Sequence, residues 1–214
     1  MGIGIKIERK KGLAMNYMGY RSLASDYLEC ALFLKAAVEG KTISLHFNVG
    51  GPILANLAHA QELVVKGHLL KLGLTMEDTT NLGHDLENGF LTLKRLAPTL
   101  AKKVEKDVRE RWKVLLRTAR DGYRDPLVNF GISDPALLEE FGVLSNATIG
   151  ANLPEFWCDL KWLSDRHKHG GSLFRYFKGG VDQRSHIQAI GLNIFTVPVS
   201  VSWGTEILLN SLTI

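Results

Sequence analysis

From Tyr20 to Val38 the apolar residues Leu23, Ala24, Tyr27, Leu28, Ala31, Leu32, Leu34 and Ala37 return every three or four positions, the period of an amphipathic helix. A second helix is predicted from Pro52 to Leu72, because proline suits a first helical position and Gly73 supplies a stop. The stretch between them, Gly40 to Gly51, reads either as a short strand around Ile43–Phe47 or as an extended connection. Thr75 and Asp78 look like an N-cap and an acidic first turn, opening a short helix, and Gly83-His84-Asp85-Leu86 opens another that reaches toward Leu96. Pro98 ends it. Thr99 is then expected to cap a long helix through Arg120, with Leu100, Val104, Val108, Trp112, Leu115 and Leu116 facing in and the basic residues facing out.

Asp121-Gly122-Tyr123-Arg124-Asp125-Pro126 carries turn chemistry, so an irregular stretch is expected from there to Asp134. Pro135–Phe141 reads as a short helix, and Leu153-Pro154 introduces one that runs to about His167, where Gly170-Gly171 stops it. The tail is two-sided: Ile194–Val201 is β-branched and strand-like, while Pro198 followed by Val201, Trp203, Ile207, Leu208 and Leu212 has helical spacing, and the helix is preferred. These elements predict an all-α fold: an up-and-down bundle of four or five main helices with short accessory helices. A basic N-terminal arm over residues 1–19 would precede a single helical domain over 20–214.

Composition narrows the class. A chain of 214 residues with 45% hydrophobic and 22% charged residues builds one sizeable core, which excludes wholesale disorder and a disulfide-dense miniprotein. The only cysteines, Cys30 and Cys158, form no CxxC pair, and a reducing cytoplasm is the expected compartment. The N-terminus is charged where a signal peptide needs apolar residues. Leu192–Trp203, the longest apolar-leaning stretch, is too short and too interrupted to span a bilayer, so no membrane association is expected.

The net charge of +4 is unevenly spread. Segment 101–120 holds eight basic residues against three acidic ones, and segment 161–186 holds six against two together with His167, His169 and His186. Charge concentrated in this way can neutralise phosphates, although a long exposed helix is also coated with Lys and Arg simply for solubility. The candidate RNA contacts are Lys102, Lys103, Lys106, Arg109, Lys113, Arg117, Arg120, Lys168 and Arg175.

The second helix is apolar over most of its circumference, which places it in the middle of the bundle. Yet Asn56, His59, Glu62 and Lys66 fall at steps of three, three and four, on one stripe. Buried polar groups need partners. Either Glu62 and Lys66 pair while His59 bonds a neighbouring helix, or the stripe walls a functional groove in which His59 handles a proton. Two potential ligands, His59 and Glu62, are too few for a metal centre, and Cys158 with His167 and His169 lacks a fourth zinc ligand at a usual spacing. No metal and no cofactor is expected. Gly40-Lys41-Thr42 imitates the end of a P-loop, but residue 35 is Lys where the loop needs its first Gly.

The first-helix segment Ser22-Leu23-Ala24-Ser25-Asp26-Tyr27-Leu28, the second-helix segment Ile53 to Lys66 and the following Leu82-Gly83-His84-Asp85-Leu86 together resemble the HEPN superfamily over roughly residues 20–95. The resemblance implies a helical bundle, often a homodimer, in prokaryotic toxin–antitoxin and defence systems, with an antitoxin or nucleotidyltransferase as a partner protein. Many such proteins are metal-independent ribonucleases; others are non-catalytic partners of RNA or nucleotides. Catalytic members place a His after an Arg with four to six residues between the two. Here the nearest approximation is Arg166 and His169, with two residues between them. In such a site Arg stabilises the phosphoryl group and His transfers the proton. The alternative is a non-catalytic helical module that binds a protein or small ligand beside His59 and Glu62.

Overall fold

The computed structural model describes residues 3–40, 50–151, 153–168 and 197–213, and these form an all-α bundle. The helices are α1 (Ile3–Glu39), α2 (Gly50–Lys71), α3 (Met76–Asn81), α4 (Leu86–Leu96), α5 (Pro98–Asn129), α6 (Pro135–Glu140), α7 (Asn146–Ala151), α8 (Phe156–His167) and α9 (Val197–Ser211). The segment around Ile43–Phe47 and the Gly170-Gly171 stop lie outside the described residues.

Central placement of α2 follows from its sequence. Leu54, Leu57, Ala58, Ala60, Val64, Val65, Leu69 and Leu70 are all buried, leaving no apolar-free side to face water. Its neighbours are α1 along most of its length, then α9, α4, α8 and α3. Against it α1 buries Tyr17, Ala24, Leu28 and Ala31, whereas Leu23 and Leu32, expected inside, are exposed. The helix begins at Ile3 rather than Tyr20, so the basic arm continues it as helix.

Inside the bundle a few polar groups tie the helices together. Trp112 Nε1 donates to Ser200 Oγ at 2.7 Å, Thr205 Oγ1 donates to Gln61 Oε1 at 2.7 Å, and His68 Nε2 donates to the Leu208 carbonyl at 2.9 Å. Burial pushes the His68 imidazole below its ordinary pKa, which keeps it neutral in this role. Close approach of α9 to α8 needs Gly204: a Cβ there would clash with the Phe156 ring. Phe156 in turn meets Phe90 edge-on, with centroids 5.2 Å apart.

The Thr75 cap matches the sequence reading, and Asp134 adds a cap that the reading did not assign. Thr75 and Asp78 close a reciprocal capping box on α3, and Asp134 caps α6 through the amides of Ala136 and Leu137. Three expectations are corrected. Thr99 caps nothing: Ala97 holds the cap position of α5 without a side-chain bond, because Pro98 already occupies the first turn, where its missing N–H costs no bond. The turn expected at 121–126 is helix, and α5 continues to Asn129 with Pro126 inside it. Pro126 falls in the last turn and forfeits only the bond to the carbonyl of Gly122, while Arg120–Asp121 and Arg124–Asp125 pairs line the same stretch. The helix stops at Gly131 instead, whose φ of 90° lies in the left-handed region. Leu115, expected inside, is exposed. In the tail the helical alternative holds from Val197 onward.

Among the described residues no helix is long and apolar enough to cross a membrane.

Candidate functional site

Of the four polar residues on the α2 stripe, three meet at one point and one does not. Asn56 turns back to its own helix and donates to the Pro52 carbonyl at 2.9 Å. Glu62 is the focus. Its Oε1 accepts from Lys66 Nζ at 2.7 Å, the expected one-turn ion pair. Its Oε2 accepts from His167 Nε2 at 2.8 Å and from His84 Nδ1 at 2.9 Å, while His59 Nδ1 stands 3.9 Å away. Three imidazoles from three parts of the chain therefore converge on a single carboxylate oxygen.

Each arrives for a local reason. His59 lies one turn before Glu62 on α2, so helical spacing alone brings it alongside. His84 is delivered by the turn ahead of α4, where Gly83 adopts a φ of 57°, a left-handed conformation that glycine takes without a Cβ clash. The next residue, Asp85, caps α4: its Oδ1 accepts from the Asn88 amide at 3.0 Å and from Ser164 Oγ at 3.2 Å. Ser164 Oγ also accepts from the Glu87 amide at 3.0 Å, so the start of α4 is fastened to α8. Leu86 is buried behind it. One turn beyond the buried Leu163 and Ser164 comes His167, only 2% exposed, in the last turn of α8.

The rings pack as well as bond. His59 and His167 meet edge-on at 4.8 Å between centroids, His84 and His167 at 5.2 Å, and Tyr27 of α1 closes on His59 at 5.3 Å. His84 is half exposed and forms the solvent side of the cluster. Burial by itself would push the Glu62 carboxyl up. Hydrogen bonds from His167, Lys66 and His84, with the Lys66 charge beside it, outweigh that and hold it at about 2. Glu62 is thus an anion at neutral pH. The space beside Glu62, Lys66 and Gly83 holds about one water molecule, too little for a small organic ligand.

The sequence-derived phosphate site lies only partly among the described residues. Arg166 stacks its guanidinium on Trp162, 3.8 Å from the ring centroid, and donates to the Trp162 carbonyl at 3.0 Å. His169 and Arg175 lie outside the described residues. Lys168 pairs with Asp165 at 2.9 Å. On α5, Lys102, Lys103, Lys106, Arg109 and Arg117 are exposed, Lys103 pairs with Asp107, Lys113 with Glu110, and Arg120 with Asp121 and Asn146.

His84 and His167 as partners of Glu62 escaped the sequence reading. The signal in the sequence is thin: His84 lies in a segment that marks a helix start and the family resemblance, and His167 lies beside Arg166 and His169, with no spacing that ties either to Glu62.

No family model, curated protein or solved structure matches the chain.

Proposed function

We propose that the protein is an HEPN-like, RNA-associated protein of a prokaryotic defence or toxin–antitoxin setting, acting in the cytoplasm. The observation that carries this reading is a stripe of cations on α5. Lys102, Lys106, Arg109, Lys113, Arg117 and Arg120 recur at steps of four, three, four, four and three, so they share one side of the helix over about 27 Å. The buried side, formed by Ala101, Val104, Val108 and Trp112, faces elsewhere. A line of positive charge of that length suits the backbone of a nucleic-acid strand. By resemblance the same reading includes a homodimer and a partner protein such as an antitoxin or nucleotidyltransferase.

Salt separates a phosphate-binding stripe from a merely solvated one. Single-stranded RNA should bind with log K falling against log salt at a slope of about −4 if six phosphates are neutralised. Replacing Lys106 and Arg109 together by alanine should reduce that slope by about 1.4 and leave the thermal unfolding temperature unchanged. A folded protein that binds no RNA even at low salt ends the proposal. In its enzymatic form the reading gives Arg166 the phosphoryl group and His169 the proton.

A further inference from the structure

We propose that His59, Glu62 and His167 form a binding site for a late first-row divalent metal, Zn²⁺ foremost, with His84 as the ligand on its solvent side. The argument starts from the convergence on Glu62 Oε2. A carboxylate oxygen has two lone pairs, and the imidazole nitrogens of His167 and His84, at 2.8 and 2.9 Å, use both. His59 Nδ1 faces the same oxygen at 3.9 Å, beyond hydrogen-bond range. Ligand atoms of His59, Glu62 and His167 all lie within 4.8 Å of one another.

Around a tetrahedral Zn²⁺ with bonds of 2.0–2.1 Å, neighbouring ligand atoms sit about 3.4 Å apart. The separations of 2.8, 2.9 and 3.9 Å to Oε2 bracket that value, so these three edges need shifts of about half an ångström, while His84, which is outside the set of ligand atoms within 4.8 Å of one another, must swing in from the solvent side to complete the tetrahedron. Binding requires each of these two rings to present a lone pair where an N–H now points at Oε2: a neutral ring does so by changing tautomer, its proton moving through solvent to the other ring nitrogen, and a charged ring by releasing one proton to solvent. The remaining carboxylate oxygen, Oε1, is held by Lys66, which fixes the Glu62 rotamer in the way an outer-shell partner orients a ligand. Imidazole-rich ligation selects Zn²⁺, Co²⁺ or Ni²⁺ over Mg²⁺ and Ca²⁺, which demand oxygen. Ligands drawn from α2, the α4 turn and α8 would let the metal lock three elements together. The site stands apart from the α5 stripe and does not depend on RNA binding.

The test is titration of the full-length, chelator-stripped protein with Zn²⁺ by calorimetry and with Co²⁺ by visible absorption. One equivalent should bind, Co²⁺ should give the intense ligand-field bands of a four-coordinate site, Zn²⁺ should raise the unfolding temperature, and Mg²⁺ should do none of these. His59→Ala, at a partly exposed position, should keep the fold and weaken Zn²⁺ at least tenfold; His84→Ala should weaken it less. Absence of Zn²⁺ and Co²⁺ binding overturns the proposal. Unchanged affinity in His59→Ala overturns it equally, since the metal would then sit on other histidines. RNA binding with an unaltered salt slope in stripped protein leaves the preceding reading standing whichever way this experiment falls.

Discussion

In chelator-containing buffer at pH 7, Glu62→Gln should unfold about 3 kcal/mol more easily than the parent protein, measured by urea or thermal denaturation. The substitution keeps the shape of the side chain and removes the charge that Lys66, His84 and His167 all address. Lys66, itself mostly buried, is then left facing an amide with no counter-charge. The pH profile should carry the same signature. Glu62 is depressed from 4.5 to about 2 in the folded protein, so its contribution is present above pH 4.5 and is lost as pH falls through that window toward 2. The groups that face it are His59 and Lys66 from α2, His84 from the α4 turn and His167 from α8. The parent should therefore lose stability more steeply between pH 4.5 and 2 than the glutamine variant does. Equal stability at pH 7 and parallel profiles below it would mean that the cluster contributes nothing net.

Phe90→Ala should cost about 3–5 kcal/mol, the range for deleting a fully enclosed aromatic ring. Phe90 has no exposed surface and touches two aromatic neighbours on α8: Phe156 at 5.2 Å and Trp157 at 6.2 Å between centroids. Those rings cannot collapse into the space easily, because the Phe156 ring is also packed closely against Gly204. Leu91, the next residue, is half exposed, and Leu91→Ala should change stability by no more than about 0.5 kcal/mol. The contrast between adjacent positions reads out the register of α4. It is checked by equilibrium denaturation of both variants, and similar losses at the two positions would mean that α4 is rotated.

Sequence made the frame of the molecule legible because the frame is local. The periodicity of α2, the Thr75 cap with its acidic first turn and the short helix at Pro135 each depend on residues within one or two turns, and each is found in place. Errors arose where two local rules competed. Pro98 reads as the end of the preceding helix and Thr99 as the cap of the next, whereas Pro98 itself forms the first turn of α5. At Gly122 and Pro126 two helix-breaking residues suggest a turn, but a proline one turn from a helix end costs a single bond, and Asp121 and Arg124 pair across one helical turn at 3.6 Å.

The candidate site was half legible for the same reason. His59, Glu62 and Lys66 share a helix stripe, and stripes can be counted. His84 and His167 lie 22 and 105 residues from Glu62, and no spacing rule connects them; they meet because the α4 turn and the end of α8 dock on the same side of α2. Burial gave the strongest indirect hint. A glutamate on a helix that is otherwise apolar must find partners, and Lys66 alone satisfies only one of its oxygens.

The central claim is that Glu62 binds α2 to α8 through His167. A double-mutant cycle between Glu62→Gln and His167→Ala, in chelator at pH 7, measures that link and cancels the cavity left by the missing ring. The account predicts a coupling energy of at least about 1 kcal/mol, against additive effects for Asn56→Ala combined with His167→Ala. Additive losses for the Glu62–His167 pair, within about 0.5 kcal/mol, would contradict it.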